Sequence, residues 1–245
     1  MSKSISSSLS SSISQSTQKI LFFDAGPIIT LVMSRLIWIL PELKKQMNGR
    51  FYITPAVKKE LIERPLTVKR FEFEALQVAK LIRDGVLEVY EKVPGDKVNE
   101  LITLANSSFS INGKNMDIIQ SGEMESVACA LQEQASSVVM DERTLRLFIE
   151  SNKEMKKLLE IRFQKEVTPN STNMNLFSNA LKDITIIRSV ELLAVAYKLK
   201  LLDTFIPPQK DGKQVLLDAV LWSAKYNGCA ITGNEIDELK QFLLK

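Results

Sequence analysis

The residues of this 245-residue chain whose types and placement could do chemistry are all acids: Asp24, Glu60, Glu123, Glu125, Asp141 and Glu142. The chain contains no histidine, which removes Ser/His/Asp and Cys/His nucleophilic triads, histidine general bases and the usual histidine-containing zinc sites. Its two cysteines, Cys129 and Cys229, are far apart and form no CxxC pair. They read as small buried apolar residues in a reducing compartment. What remains is carboxylate chemistry. Asp24 ends the apolar run Ile20 to Phe23, and Asp141 ends the run Val138 to Met140. Two carboxylates at neighbouring strand ends repel unless a cation or a proton lies between them. Hard oxygen ligands without histidine select magnesium or manganese.

Each acid also has a plainer reading. Asp24 can serve only as the N-cap of the helix after it, and Glu60 as a solvated partner of Arg64 at i,i+4. Glu123 and Glu125 stand in a first helical turn, where the helix dipole favours acids. At about 100° per residue the apolar face of that helix centres on Val127 and Leu131, with Glu123 roughly 80° from it and Glu125 roughly 120° on the other side. Glu123 is the better placed to reach inward.

The elements that position these acids follow from the apolar pattern. Ile20 to Phe23 is short and uniformly apolar, as a buried central strand is. Gly26 and Pro27 break it, and Ile28, Ile29, Leu31 and Val32 begin a helical spacing. Phe51 to Thr54 reads as a second strand, with Thr54 or Pro55 opening a helix to Glu63. Arg70 to Arg83 is an amphipathic helix closed by Gly85, and Val86 to Tyr90 a strand. A helix near Asp96 to Ala105 leads into a polar, glycine-containing stretch, Asn106 to Gln120, that reads as a loop. After the helix from Ser121 and the strand ending at Asp141, Ile184 to Ile187 gives a further strand and Val190 to Leu199 a helix. Val215 to Tyr226 is an apolar helix ended by Gly228, and Thr232 with Glu235 a capping box for the last helix. Trp222 and its neighbouring leucines read as core or as a homodimer face. The fold expected is α/β and three-layered, a mostly parallel central sheet flanked by helices with the acids at its carboxyl edge, where open sheets bind ligands.

In order along the chain, FFDAGPIITL, YITPAVKKEL, SGEMESVACAL and VVMDERTLR resemble the four motifs of the PIN-domain nucleases, in particular archaeal and bacterial single-domain members. The resemblance resumes at DITIIRSVELLAVAY and covers most of the chain beyond residue 18. It implies that the family's four acids fall on Asp24, Glu60, Glu123 or Glu125, and Asp141. The chain departs from the pattern at Glu142, where the family often has a second aspartate, and over 150–181, an insertion. That insertion mixes Lys153, Lys156, Lys157, Arg162 and Lys165 with acids and is expected to be a solvated helix and a polar loop at Pro169 to Asn173, structural rather than an RNA clamp.

The resemblance implies a Mg2+- or Mn2+-dependent endoribonuclease that cuts single-stranded RNA, with departure of the 3′ oxygen. It would act as the toxin of a toxin–antitoxin pair, with an antitoxin protein as partner, or as a processing enzyme. A degenerate PIN-like module that binds RNA or protein without cutting is the alternative. A phosphatase of the haloacid dehalogenase type is a weaker rival, because it wants a second aspartate where Gly26 stands.

Composition sets the frame. With 45% hydrophobic and 25% charged residues, one large domain over 19–245 is expected to carry the core. Residues 1–18 are dominated by serine and lack acids, as a disordered tail does. The net charge of +3 is too small to mark a nucleic-acid binder, so RNA contacts must rest on local lysine clusters around the acids. Ile28 to Leu40 is short and interrupted by Arg35, so no segment is expected to enter a membrane, and the chain is expected to be cytoplasmic.

Overall fold

Ile20 to Phe23 offers water no polar face, and the structure, a computed structural model describing residues 18–135 and 137–245, buries it on both sides. Strand β1 (Lys19–Phe23) lies between β2 (Gly49–Ile53) and β6 (Ser137–Val139), with β3 (Glu88–Val89) and β8 (Thr185–Ile187) outside them. The order is β3-β2-β1-β6-β8, and every pairing is parallel. The serine-rich tail expected over residues 1–18 lies, Gln18 apart, outside the described residues.

Parallel strands need crossovers, and the chain supplies helices: α1 (Ala25–Met33), α2 (Ile39–Gln46), α3 (Pro55–Lys58), α4 (Glu72–Arg83), α5 (Gly95–Asn106), α6 (Ser121–Gln132) and α7 (Arg143–Glu150). Then come α8 (Asn152–Phe163), α9 (Ser171–Ala180), α10 (Ser189–Lys198), α11 (Gly212–Tyr226) and α12 (Gly233–Leu243). Alternation along the strands divides the interior into two cores. Leu21, Phe23, Phe51, Ile53 and Val139 pack with α1, α2, α10 and α11. Phe22, Tyr52, Val138 and Met140 pack with α5, α6 and α7. Each such fully buried side chain stabilises the fold by roughly 1.5–3 kcal/mol, which fixes the register of the sheet and therefore where its strand-end acids stand.

Three expectations need correction. Asn106 to Gln120 is not a plain loop, because Phe109–Ile111 (β4) and Lys114–Asn115 (β5) pair antiparallel. Asn112 and Gly113 between them both have positive φ, 51° and 75°, as a tight hairpin turn demands. The polar loop expected at Pro169 to Asn173 is the end of β7 (Thr168–Pro169), paired with β4, and the first turn of α9. The side chain of Asn170 caps that turn, accepting from the Asn173 N–H at 3.2 Å. Segment 150–181 thus contributes α8, β7 and α9, and its Met155, Leu159, Val167, Met174 and Phe177 are buried in the second core.

The third correction concerns Glu60. The helix from Pro55 keeps α-geometry only to Lys58 and continues as one π-helical stretch, Lys59–Glu63. Such π-turns recur at functional sites. Thr54 is fully buried and caps the start, accepting from the Val57 N–H at 3.3 Å. Thr54→Ala is expected to cost about 1 kcal/mol by urea unfolding, and a neutral result would mean that the cap is dispensable.

Candidate active site

Asp24 continues the ladder one residue past β1, its N–H donating to the Val139 carbonyl at 2.9 Å. Its side chain does cap α1, accepting from the Gly26 N–H at 3.3 Å. Capping is not its whole situation. Burial pushes its carboxyl up from 3.8 to about 6, with bonds from Gly26 and Ala25 working against the rise and the charges of Glu60 and Asp141 adding to it. Glu123, in the first turn of α6, accepts from the Gln120 N–H at 3.3 Å. Burial, then the charges of Glu142, Asp24 and Glu60, push its carboxyl up to about 7. Glu123 therefore lies within the electrostatic reach of Glu142, Asp24 and Glu60, and Asp24 within that of Glu60 and Asp141, at the carboxyl edge of the sheet.

Glu60 reaches this edge from the π-helical stretch and is exposed. Among the described residues no ion pair joins it to Arg64. Glu142 caps α7, accepting from the Leu145 N–H at 3.1 Å and from the Thr144 hydroxyl. Glu125 faces elsewhere: burial, then the charges of Glu125 and Glu133, push the Cys129 thiol up to about 12. Of the two α6 glutamates, the structure groups Glu123 with Asp24. Asp141 is only 3% exposed. Its Oδ1 accepts from the Ser189 N–H and its Oδ2 from the Thr30 hydroxyl, both at 2.7 Å.

Thr30 and Ser189 are residues the sequence did not single out. The signal for Thr30 was its hydroxyl among Ile28, Leu31 and Val32 in the buried face of α1, since a buried hydroxyl needs a partner. Ser189 opens α10 beside Arg188, whose guanidinium is held by Glu191 at 2.7 Å and Glu235 at 2.9 Å and donates to the Ala230 carbonyl at 3.2 Å. That anchoring fixes the N–H that Asp141 accepts from.

Among the described residues no group of three or more His, Cys, Asp or Glu side chains stands ready to hold a metal ion. The donor chemistry nevertheless suits a hard divalent cation. Asp24 and Glu123 offer only oxygen donors, their ionisation is opposed by burial and by further acids, and a cation would relieve that opposition. Glu60 also lines an apolar cavity of about 500 Å3 between α1, the π-helical stretch and α4, together with Ile29, Val32, Met33, Phe71 and Glu74. Among the described residues no helix is long and apolar enough to cross a membrane.

No curated protein matches the chain. Among solved structures, a chain from the crystal structure of VapBC2 from Rickettsia felis, bound to a DNA fragment from their promoter, is 18% identical. That match covers 50% of this chain and 88% of that one, with a TM-score of 0.39. A family model described as a PIN domain matches residues 20–153, more than half of the sequence. These are the residues that carry β1, β2, β6, the π-helical stretch and α6, and with them every acid of the site. This chain belongs to the PIN-domain family.

Proposed function

We propose that the protein is a divalent-metal-dependent endoribonuclease acting on single-stranded RNA. The observation that carries this reading is the gathering of Asp24, Glu60, Glu123, Asp141 and Glu142 at the carboxyl edge, where burial first and the neighbouring acids second raise the carboxyls of Asp24 to about 6 and Glu123 to about 7. Structural ion pairs lower carboxyl pKa values; a cluster that raises them is characteristic of a functional site. Asp24, Glu60 and Glu123 are the residues that would hold Mg2+ or Mn2+, with Glu60, exposed and on its π-turn, the one free to swing inward. A bound ion there supplies Lewis-acid polarisation of a phosphoryl oxygen and a water acidified to near neutrality.

The chain's own cations suit the substrate. Lys58 and Lys59 flank Glu60, and Arg143 flanks Glu142. Among the described residues none of the three forms an ion pair, which leaves them for phosphates. The groove beside Glu60 gives an antitoxin-like polypeptide a place to lie, so the toxin role and a processing role share one site.

One observation favours the second reading, a non-catalytic RNA- or protein-binding module: among the described residues no three acids stand grouped to hold a cation. Incubating the purified protein with labelled single-stranded RNA, in Mn2+ and in EDTA, separates the two. Cleavage in Mn2+ that EDTA abolishes is expected. Binding without cleavage in both would establish the module instead.

A further inference from the structure

Two acids follow β6, and the fold sends them to opposite sides of the sheet. Phe22 is in register with Val138 and Phe23 with Val139, and the ladder continues from the Asp24 N–H to the Val139 carbonyl. Phe23 and Val139 point into the core of α1, α10 and α11, whereas Phe22, Val138 and Met140 point to the α5 and α6 side. Successive side chains in extended backbone alternate. Asp24 therefore shares a side with Phe22 and Met140, and so does Glu142, whose backbone is still extended at φ −74° and ψ 138°. Asp141 falls on the other side, with Val139.

The contacts agree with the alternation. Both Asp141 oxygens are taken by buried donors, the Thr30 hydroxyl of α1 and the Ser189 N–H at the start of α10. Its own carbonyl accepts from the Ala230 N–H at 3.1 Å. Each Asp141 oxygen is thus tied to a buried donor on another element, whereas the donors to Glu142, the Thr144 hydroxyl and the Leu145 N–H, belong to the helix that Glu142 itself caps. The first turn of α1 is held between the two aspartates, because a Cβ on Gly26 would lie 3.5 Å from both Asp141 Cβ and Asp24 Oδ2. Asp141 thus grips, through Thr30, the helix whose first turn orients Asp24.

We propose that Asp141 is a positioning residue that clamps α1 to the sheet, and that Glu142 is the strand-end carboxylate that faces the cation. The assignment rests on the nuclease reading above, and it moves the fourth acid by one residue from the position that motif matching selects.

Melting curves of the full chain, with and without Mn2+, test it. Glu142→Gln is expected to lose most of the Mn2+-induced rise in melting temperature, while Asp141→Asn keeps that rise. Without metal, Asp141→Asn, or Asp141→Ala as the stronger variant, melts about 3–8 °C below the parent, because a buried N–H loses a charged acceptor. Thr30→Val removes the hydroxyl at constant shape and is expected to raise the Mn2+ concentration for half-maximal stabilisation about tenfold, the loss of roughly 1.4 kcal/mol in binding; Thr30→Ser restores it. Loss of the Mn2+ response in Asp141→Asn with retention in Glu142→Gln would overturn the proposal. A Thr30→Val protein that melts lower at an unchanged Mn2+ requirement would reduce Asp141 to a structural role and overturn the positioning half. A parent with no Mn2+ response defeats the nuclease reading and the Glu142 assignment with it, and unchanged metal-free melting in the Asp141 variants would then also remove the clamp.

Discussion

Asp24→Asn is expected to lower cleavage of single-stranded RNA by orders of magnitude while leaving the metal-free protein more stable than the parent. Asparagine caps helices about as well as aspartate, so the bond from the Gly26 N–H survives. What disappears is the cost of a buried carboxylate whose pKa is raised from 3.8 to about 6. At neutral pH that cost is roughly 3 kcal/mol, equivalent to a rise of about 6–12 °C in melting temperature for a chain of this size. Mn2+ should stabilise the parent and not the variant, by the linkage of binding to folding. Cleavage assays paired with melting curves check both halves. A variant that melts lower and still cuts would reduce Asp24 to its capping role.

The second large effect is on pH dependence. A carboxyl raised in the folded state binds its proton more tightly there than in the unfolded chain, so stability falls as pH rises from the unfolded value to the folded one. For Asp24 that window runs from 3.8 to about 6, and for Glu123 from 4.5 to about 7. The metal-free protein should therefore lose several kcal/mol between about pH 4.5 and pH 7. Glu235 works in the opposite sense on the acid side. Burial acts against its ionisation, but the bonds from Thr232 and Arg188 outweigh burial and hold it down at about 2, so its contribution is lost as pH falls from 4.5 towards 2. Together they place the stability maximum of the metal-free protein near pH 4, where the gain from Glu235 is overtaken by the loss from Asp24 and Glu123. Saturating Mn2+ should flatten the neutral side of the curve, because the cation replaces the protons. A melting temperature that rises from pH 5 to 7 without metal would contradict the cluster.

The central sheet was legible because burial on both faces leaves an unbroken apolar run that ends abruptly, as at Phe23–Asp24 and Met140–Asp141. Helix starts were legible where a side chain caps them, as at Thr54 and Thr232. The hairpin at 109–115 was missed because strands of three and two residues are too short for alternation to register, although Asn112-Gly113 is itself a hairpin turn signal. The strand read over Val86 to Tyr90 shrinks to Glu88–Val89, since the Val86 and Leu87 N–H groups both donate to the Leu81 carbonyl in the last turn of α4. The π-helical stretch left no trace in the sequence, because a few residues cannot distinguish its period from 3.6. The candidate acids were chosen from their positions at strand ends and helix starts. Their division between the two sides of the sheet was not legible, because it depends on the β1–β6 register and on Thr30 and Ser189, which lie 111 and 48 residues from Asp141.

The bond from the Ala230 N–H to the Asp141 carbonyl also has a meaning in time. All the candidate acids lie in the first 142 residues, yet of the partners that hold Asp141 only Thr30 precedes it, and Ser189 and Ala230 are synthesised well after it. At ordinary translation rates the stretch from Asp141 to Ala230 takes roughly 4–18 s to emerge. During that interval a nascent chain carries all these carboxylates without the bonds from Ser189 and Ala230 that complete the hold on Asp141. The segment that carries Ser189 and Ala230 thus acts as a delay, and Asp141 is fully held only once that segment has emerged.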